Sequence, residues 1–255
     1  MTASRDDIIQ HINDLLAVHT YSDYGPNGLQ VVGTESVATI ATAVSSTLEV
    51  FRAAADAGAD MLIVHHGLFW KNTPQPIGTQ QRDRLATLFS ADISLAAYHL
   101  PLDGHTTLGN NALIRAGLDL TPDSRPFAVI NGAALGSVGT YPTPMHWPEF
   151  LAKVTHLVAG RTPLVLGAAP SHVSTVAICS GGAAGEISAA AELGADVFIT
   201  GEPREDSHAM ATELGCTLIA AGHYATETFG VRALGAHLSE LFGVRHIPID
   251  VVNPV

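Results

Sequence analysis

The sequence predicts an α/β protein made of two similar α/β domains. Three observations carry this expectation. Short apolar runs alternate with amphipathic stretches of helical length along most of the chain. Ala53–Gly67, AAADAGADMLIVHHG, aligns without a gap on Ala189–Pro203, AAAELGADVFITGEP, so Asp60 falls on Asp196 and His65-His66 on Gly201-Glu202. Each copy is followed by a second related pair: Leu95-Ala-Ala-Tyr-His99 with Asp103, and Ile219-Ala-Ala-Gly-His223 with Glu227. The duplication predicts a first domain over about 1–120 plus 228–255 and a second over about 121–227.

The first helix is expected from Asp6 to about His19. Ser4 and Asp7 resemble a capping box, and Ile8, Ile9, Ile12, Leu15 and Leu16 share a face. Tyr21–Gly28 is rich in turn formers. Val37–Val44 then reads as a strand, Thr47–Ala57 as a helix and Asp60–Val64 as a buried strand. Thr79–Ser90 reads as a helix, Ile93–Tyr98 as a strand and His105–Ala116 as a helix. From about Thr121 to Pro170 the pattern loosens, punctuated by prolines. The second unit follows: strand Val173–Cys179, helix Gly185–Leu193, strand Val197–Thr200, helix Arg204–Leu214 and strand Thr217–Ala221. A last helix near Thr226–Leu241 and a strand at His246–Val251 return the chain's end to the first sheet.

At 255 residues, with 47% hydrophobic and 14% charged residues, the chain has material for a large core. No apolar run approaches the roughly 20 residues that cross a bilayer. The acidic start MTASRDDIIQ lacks a signal core, so a cytoplasmic location is expected. Cys179 and Cys216, each in an apolar run, read as small buried hydrophobes rather than a disulfide framework. The formal charge is −12, from 24 acids against 12 bases, with no Lys/Arg cluster. Broad nucleic-acid contact is disfavoured by that balance, and cation capture is favoured.

Thirteen histidines ask for a reason. In open α/β sheets, ligands bind at the carboxyl ends of strands. His65-His66 ends one predicted strand, Asp103 lies past another and His223 past a third. Neighbouring residues in a strand point to opposite faces, so a double histidine reaches two ions if the backbone turns there, as Gly67 permits. His223 and Glu227, four apart, share a face on a helical first turn. His65, His66, Asp103, His223 and Glu227 are therefore expected to serve two divalent ions per chain. A bridging carboxylate, Glu227 foremost, would hold them roughly 3.5–4 Å apart. Water shared by two such ions ionises near neutral pH and becomes a nucleophile. With no cysteine in the set, Zn, Mn, Fe, Co and Ni all remain open. Pro101 interrupts the His99/Asp103 pair, so those side chains need not converge, and the roles of His99 and His105 stay open between ligand, hydrogen-bond support and packing. The remaining histidines read as surface or packing residues.

HHGLFW at His65–Trp70, HLPLDGHTTLGNNAL at His99–Leu113, SGGAAGEI at Ser180–Ile187 and GHYATE at Gly222–Glu227 resemble the NIF-three-like proteins. Members of this family are commonly named GTP cyclohydrolase 1 type 2 homologues, and the short bacterial YbgI-like members are most similar. Asn27-Gly-Leu-Gln-Val31 fits their N-terminal motif, and the resemblance runs from about residue 5 to 250. It implies two similar domains with a dinuclear metal site between them, whose ligands fall on the same five residues. A toroidal homohexamer is implied as well.

The leading expectation is a metal-dependent hydrolase acting on a small nucleotide-like or phosphorylated metabolite. A non-catalytic protein for metal storage or delivery is the alternative. Phe69 and Trp70 are candidates to stack a purine, against a reading as core packing or subunit contact. Glu202 is a weak candidate base, against a reading as part of an exposed acidic loop.

Overall fold

A computed structural model describes residues 1–72 and 76–255. Contacts divide the chain into two compact units, Met1–Leu102 with Gly230–Val252 and Asp103–Phe229 with Asn253–Val255. In chain order the main strands are β1 (Gly28–Val31), β2 (Thr39–Ser45), β3 (Met61–His66), β4 (Ser94–Ala97), β5 (Thr121–Asp123) and β6 (Ser137–His146). Then come β7 (Leu164–Leu166), β8 (His172–Ile178), β9 (Val197–Thr200), β10 (Thr217–Ala220) and β11 (Arg245–Pro248). The helices are α1 (Arg5–Leu15), α2 (Leu48–Asp56), α3 (Thr79–Ser90), α4 (Leu100–Asp103) and α5 (Asn110–Gly117). They continue with α6 (Trp147–Leu157), α7 (Ile187–Glu192), α8 (Ser207–Leu214), α9 (His223–Thr226) and α10 (Thr228–Phe242).

The first unit holds a sheet of order β11-β2-β3-β4-β1, parallel except for the edge strand β1. The chain's end does return to this sheet, β11 pairing with β2. Strands of parallel sheets are buried on both faces, which is why β2 to β4 read as continuous apolar runs. Leu62, Val64, Ala41, Ala43 and Leu95 form one core cluster with Val50, Phe51 and Ala54 of α2 and Leu88 of α3. Each fully buried Leu or Phe there contributes about 1.5–3 kcal/mol. Thr47 caps α2, its hydroxyl accepting from Val50 N at 3.2 Å, and Ser4 caps α1 through Asp7 N.

The second unit holds a mixed sheet of order β7-β10-β9-β8-β6-β5. Alternate residues pack on opposite faces. Val176, Ile178, Val197, Ile199 and Ile219 join Ile114, Phe150 and Val154 of α5 and α6. Ala177, Phe198, Leu218 and Ala220 join Ile187, Ala190 and Ala211 of α7 and α8. This packing puts α5 in the second unit, so the division falls at Leu102/Asp103 and not near residue 120.

Other departures from the sequence reading have local causes. Between residues 121 and 170 lie the strand β6 and the helix α6. Pro142 and Pro144, two of the prolines that punctuate this stretch, sit where the β6–β8 register breaks, between Thr140 and Met145, so no ladder N–H is required of them. Helix α5 starts at Asn110 rather than His105, because His105 Nδ1 accepts from Leu108 N at 3.0 Å and holds a turn instead. No helix of the described residues is long and apolar enough to cross a membrane.

Two histidines of the first unit tie its stability to pH. His246 Nε2 meets Thr42 Oγ1 at 2.8 Å, and His11 Nε2 meets His237 Nε2 at 2.9 Å. Burial holds both His246 and His11 below the ordinary 6.5, and the neighbouring His237 adds to the effect at His11. A depressed folded value gives stability that is present above 6.5 and lost as pH falls through the folded value. His223, whose value is raised, contributes with the opposite sign, so the readout is a difference between proteins. The melting temperature of His246→Gln should fall less steeply than the parent's between about pH 7 and 5; equal slopes would refute the assignment.

Candidate metal centre

In the first unit the strand β3 runs two residues further than its apolar stretch predicts and carries both histidines. His65 is fully buried and His66 partly so. His65 Nδ1 donates to the Tyr98 carbonyl at 3.0 Å. The turn after His66 is fixed by Gln30, whose Oε1 accepts from Leu68 N at 2.8 Å and whose Nε2 donates to the Pro26 carbonyl at 2.8 Å. Gly67 is required here, because a Cβ would run into the Gln30 amide and lie 2.8 Å from Ala97 Cβ. Ser46 Oγ donates to the His66 carbonyl at 2.8 Å and holds the other side of the turn.

His99 joins this pair. Ring centroids are 4.8 Å apart for His65–His66, 4.9 Å for His65–His99 and 5.6 Å for His66–His99. One ligand-capable atom from each of the three lies within 4.8 Å of the other two. His99 Nδ1 donates to Asp23 Oδ1 at 2.8 Å. Asp23, 7% exposed, also accepts from Asn27 Nδ2 at 2.9 Å, Leu100 N at 2.9 Å and Tyr24 N at 2.6 Å. Burial alone would raise its pKa, but the bonds from His99, Asn27 and Tyr24 outweigh it and hold the value low. Carbonyls and carboxylates only accept, so Nδ1 of His65 and of His99 carries a proton, and in the neutral ring the lone pair is then on Nε2. Neutral imidazoles set in that way are suited to a transition-metal ion.

Trp70 stands edge-on to His99 at 5.1 Å and 6.1 Å from His66, so it walls the cluster. Phe69 packs against the core of the unit.

In the second unit Asp103 ends α4, 9% exposed, with its Oδ1 accepting from Asn110 Nδ2 at 2.8 Å and Ser180 Oγ at 3.2 Å. Asn111 Oδ1 accepts from Ser180 N at 2.7 Å and fixes the loop after β8. Gly222, with φ +105°, leads into the single turn α9, which brings His223 and Glu227 together. His223 Nε2 lies 3.2 Å from Glu227 Oε1, and its Nδ1 lies 3.4 Å from Glu202 Oε2. The Glu227 bond raises the His223 pKa most, burial opposes it, and Glu202 adds to the rise. A carboxylate on each ring nitrogen favours a cation at this position, and a metal bound at Nε2 would take the place of a proton.

Glycines shape this half as well. Gly181 has φ +66°, and a Cβ on it would run into Glu227 Oε1. Gly201 falls on His65 in the repeat, and it has no room for a side chain: a Cβ would lie 2.6 Å from His223 Cα and 2.7 Å from the Gly181 carbonyl. That close approach leaves no room for a histidine at the position equivalent to His65. Cys179 is buried, and burial, with the charges of Asp103, Glu186 and Glu227, pushes its thiol well up, so it offers no thiolate.

Each unit thus presents groups able to hold a metal ion: His65, His66 and His99 in the first, His223 with Glu227 in the second. Asp23 went unnoticed in the sequence, since 76 residues separate it from His99; the one signal was its position four residues before Asn27 of the N-terminal motif. Ser180 and Asn110 sit inside quoted motifs, but only the fold shows them on Asp103.

Comparison with known proteins identifies the family and the fold. The family model described as Duf34/NIF3 (NGG1p interacting factor 3) matches residues 3–254. A protein of Allochromatium vinosum named "GTP cyclohydrolase 1 type 2 homolog" is 43% identical over 249 residues, covering 97% of this chain and 96% of its own. Among solved structures, protein ybgI, described as of unknown function, superposes with a TM-score of 0.92 at 40% identity, over 99% of this chain and all of its own. A protein from Thermus thermophilus gives 0.88 at 36% identity, again over 99% of this chain and all of its own.

Proposed function

This chain belongs to the Duf34/NIF3 family, and on that premise we propose that it is a divalent-metal-dependent hydrolase acting on a small nucleotide-like or phosphorylated metabolite. The observation that carries the reading is the convergence of His65, His66 and His99, with the Nδ1 atoms of His65 and His99 both committed to acceptors. In this reading two ions per chain are held by His65, His66, Asp103, His223 and Glu227. When bound, such ions supply Lewis-acid chemistry, polarising a substrate oxygen and acidifying water.

The protein's own groups do the rest. Asn110 and Ser180 hold the Asp103 carboxylate in one orientation, and Glu202 orients His223 through Nδ1. Glu202, with its Oε2 3.4 Å from His223 Nδ1, is also the candidate general base. The donors are nitrogen and oxygen only, which keeps the ions electrophilic. Trp70, beside the histidine cluster, offers an aromatic surface for a purine, and the name of the Allochromatium vinosum relative, "GTP cyclohydrolase 1 type 2 homolog", points to the same substrate class.

The deciding experiment is elemental analysis of untagged protein, followed by a screen of nucleotides, GTP included, and of phosphorylated metabolites. The expected result is about two divalent ions per chain and a turnover abolished by chelation and restored by the ion. Protein without tightly bound ions would overturn the reading. Readily exchanged ions with no metal-dependent turnover would replace it with metal storage or delivery.

A further inference from the structure

His99 and His223 occupy equivalent places in the sequence repeat, each closing an apolar strand and each followed four residues later by a carboxylate. Within its own unit each has Nδ1 facing a carboxylate: Asp23 for His99 at 2.8 Å, Glu202 for His223 at 3.4 Å. His223 belongs to the proposed ligand set and His99 does not. The Asp23–His99 contact is the shorter and the more buried, with side-chain exposures of 2% and 18%. Three further donors, Asn27 Nδ2 and the backbone N–H groups of Tyr24 and Leu100, lock the Asp23 carboxylate. Asn27 Oδ1 in turn accepts from His99 N at 2.8 Å, so backbone and ring of His99 are both fixed by the Asp23–Asn27 unit. A ring fixed so firmly at Nδ1 keeps Nε2 as its nitrogen for an ion, with the His65 and His66 ring centroids 4.9 and 5.6 Å from its own.

We infer that His99 is a metal ligand of the first unit, the counterpart of His223, and that Asp23 is the positioning residue that holds its ring in the ligating orientation. The inference rests on the metal reading above. It makes the first unit's donor set three imidazoles, a composition suited to Zn, Fe, Co or Ni and poorly suited to Mg or Ca. It also gives the N-terminal Asp-x3-Asn sequence a role, which is to fix the tautomer of a ligand 76 residues away.

The experiment compares the parent with Asp23→Asn, His99→Gln and the double variant, each loaded with Co(II). Metal per chain, affinity in chelator competition and the visible Co(II) spectrum are the readouts, none of which needs a substrate. Loss of an orienting partner costs about 10- to 100-fold in affinity for the ion concerned. His99→Gln should lose at least as much and change the spectrum. The double variant should match His99→Gln alone, because Asp23 acts only through that ring. Losses that add in the double variant would make Asp23 a structural residue and overturn the positioning role. Full affinity and an unchanged spectrum in His99→Gln would overturn the ligand assignment, and that variant keeps the test alive should Asp23→Asn fail to fold. A parent that takes up no Co(II) would overturn the metal reading itself, an outcome distinct from either.

Discussion

Replacing Glu227 by alanine should remove at least one of the two divalent ions proposed for each chain while leaving the fold intact. Glu227 is 3% exposed, and its Oε1 lies 3.2 Å from His223 Nε2. A carboxylate buried to that degree is costly unless a cation faces it. Gly181 reinforces the point: its positive φ and missing side chain leave room for Oε1, so the loop after β8 is shaped around this carboxylate. The fold should survive because none of the apolar clusters includes Glu227. If the residue serves both ions, a metal-dependent turnover should fall by about 10³-fold or more, the equivalent of the several kcal/mol that metal electrostatics supply. Glu227→Gln separates charge from shape, and it should lose metal nearly as completely. A second readout works on metal-free protein. The Glu227 bond is the first cause of the raised His223 pKa, so imidazole titration by NMR should move down toward the ordinary 6.5 in both variants. Two ions retained in Glu227→Ala, with unchanged resistance to chelator, would sink the bridging assignment.

How much of this the sequence made legible depends on how local the cause is. The central strands β2, β3, β4, β8, β9 and β10 and the helices α2 and α3 follow from periodicity and caps within a few residues, and they appear where expected. The histidine pair stood out at the end of an apolar run, and His223 with Glu227 stood out because the repeat sets them against His99 and Asp103. His99 stayed open because Pro101 hid the short helical turn α4, and what orients its ring comes from residue 23. Strand β6 was invisible for a related reason. Prolines veto a ladder only where the ladder needs their N–H, and the register break that excuses Pro142 and Pro144 exists only once β8 is paired. The empty place at Gly201 is the same kind of fact, since the crowding that forbids a side chain there comes from the Gly181 carbonyl and His223.

Alanine at either Asp60 or Asp196 should destabilise the chain by about 2–4 kcal/mol, and the two losses should be nearly equal. Asp60 Oδ2 accepts from Ala38 N at 2.8 Å and Thr39 N at 2.9 Å, 22 and 21 residues upstream. Asp196 Oδ2 accepts from Ser174 N at 2.7 Å and Thr175 N at 2.9 Å, across the same separations. The backbone repeats the pattern, Asp60 N bonding the Thr39 carbonyl at 2.9 Å and Asp196 N bonding the Thr175 carbonyl at 2.9 Å. In each unit the carboxylate thus clasps one strand, at the start of β2 or inside β8, to the start of the next, and sets the register from which β3 and β9 run. Hydrogen bonds to a charged acceptor contribute about 1.5–3 kcal/mol each, and an orphaned N–H adds its own desolvation cost. Partial exposure of both aspartates reduces the sum. For a chain of this size the melting temperature should drop by about 5–15 °C. Asparagine keeps an acceptor and should restore about half of the loss. The two clasps lie in different units and share no partner, so the double variant should lose the sum of the two. A loss below about 1 kcal/mol in both single variants would show that the clasp follows the register instead of setting it. A large loss at one position alone would overturn the equivalence of the two α/β units, on which the pairing of their metal ligands rests.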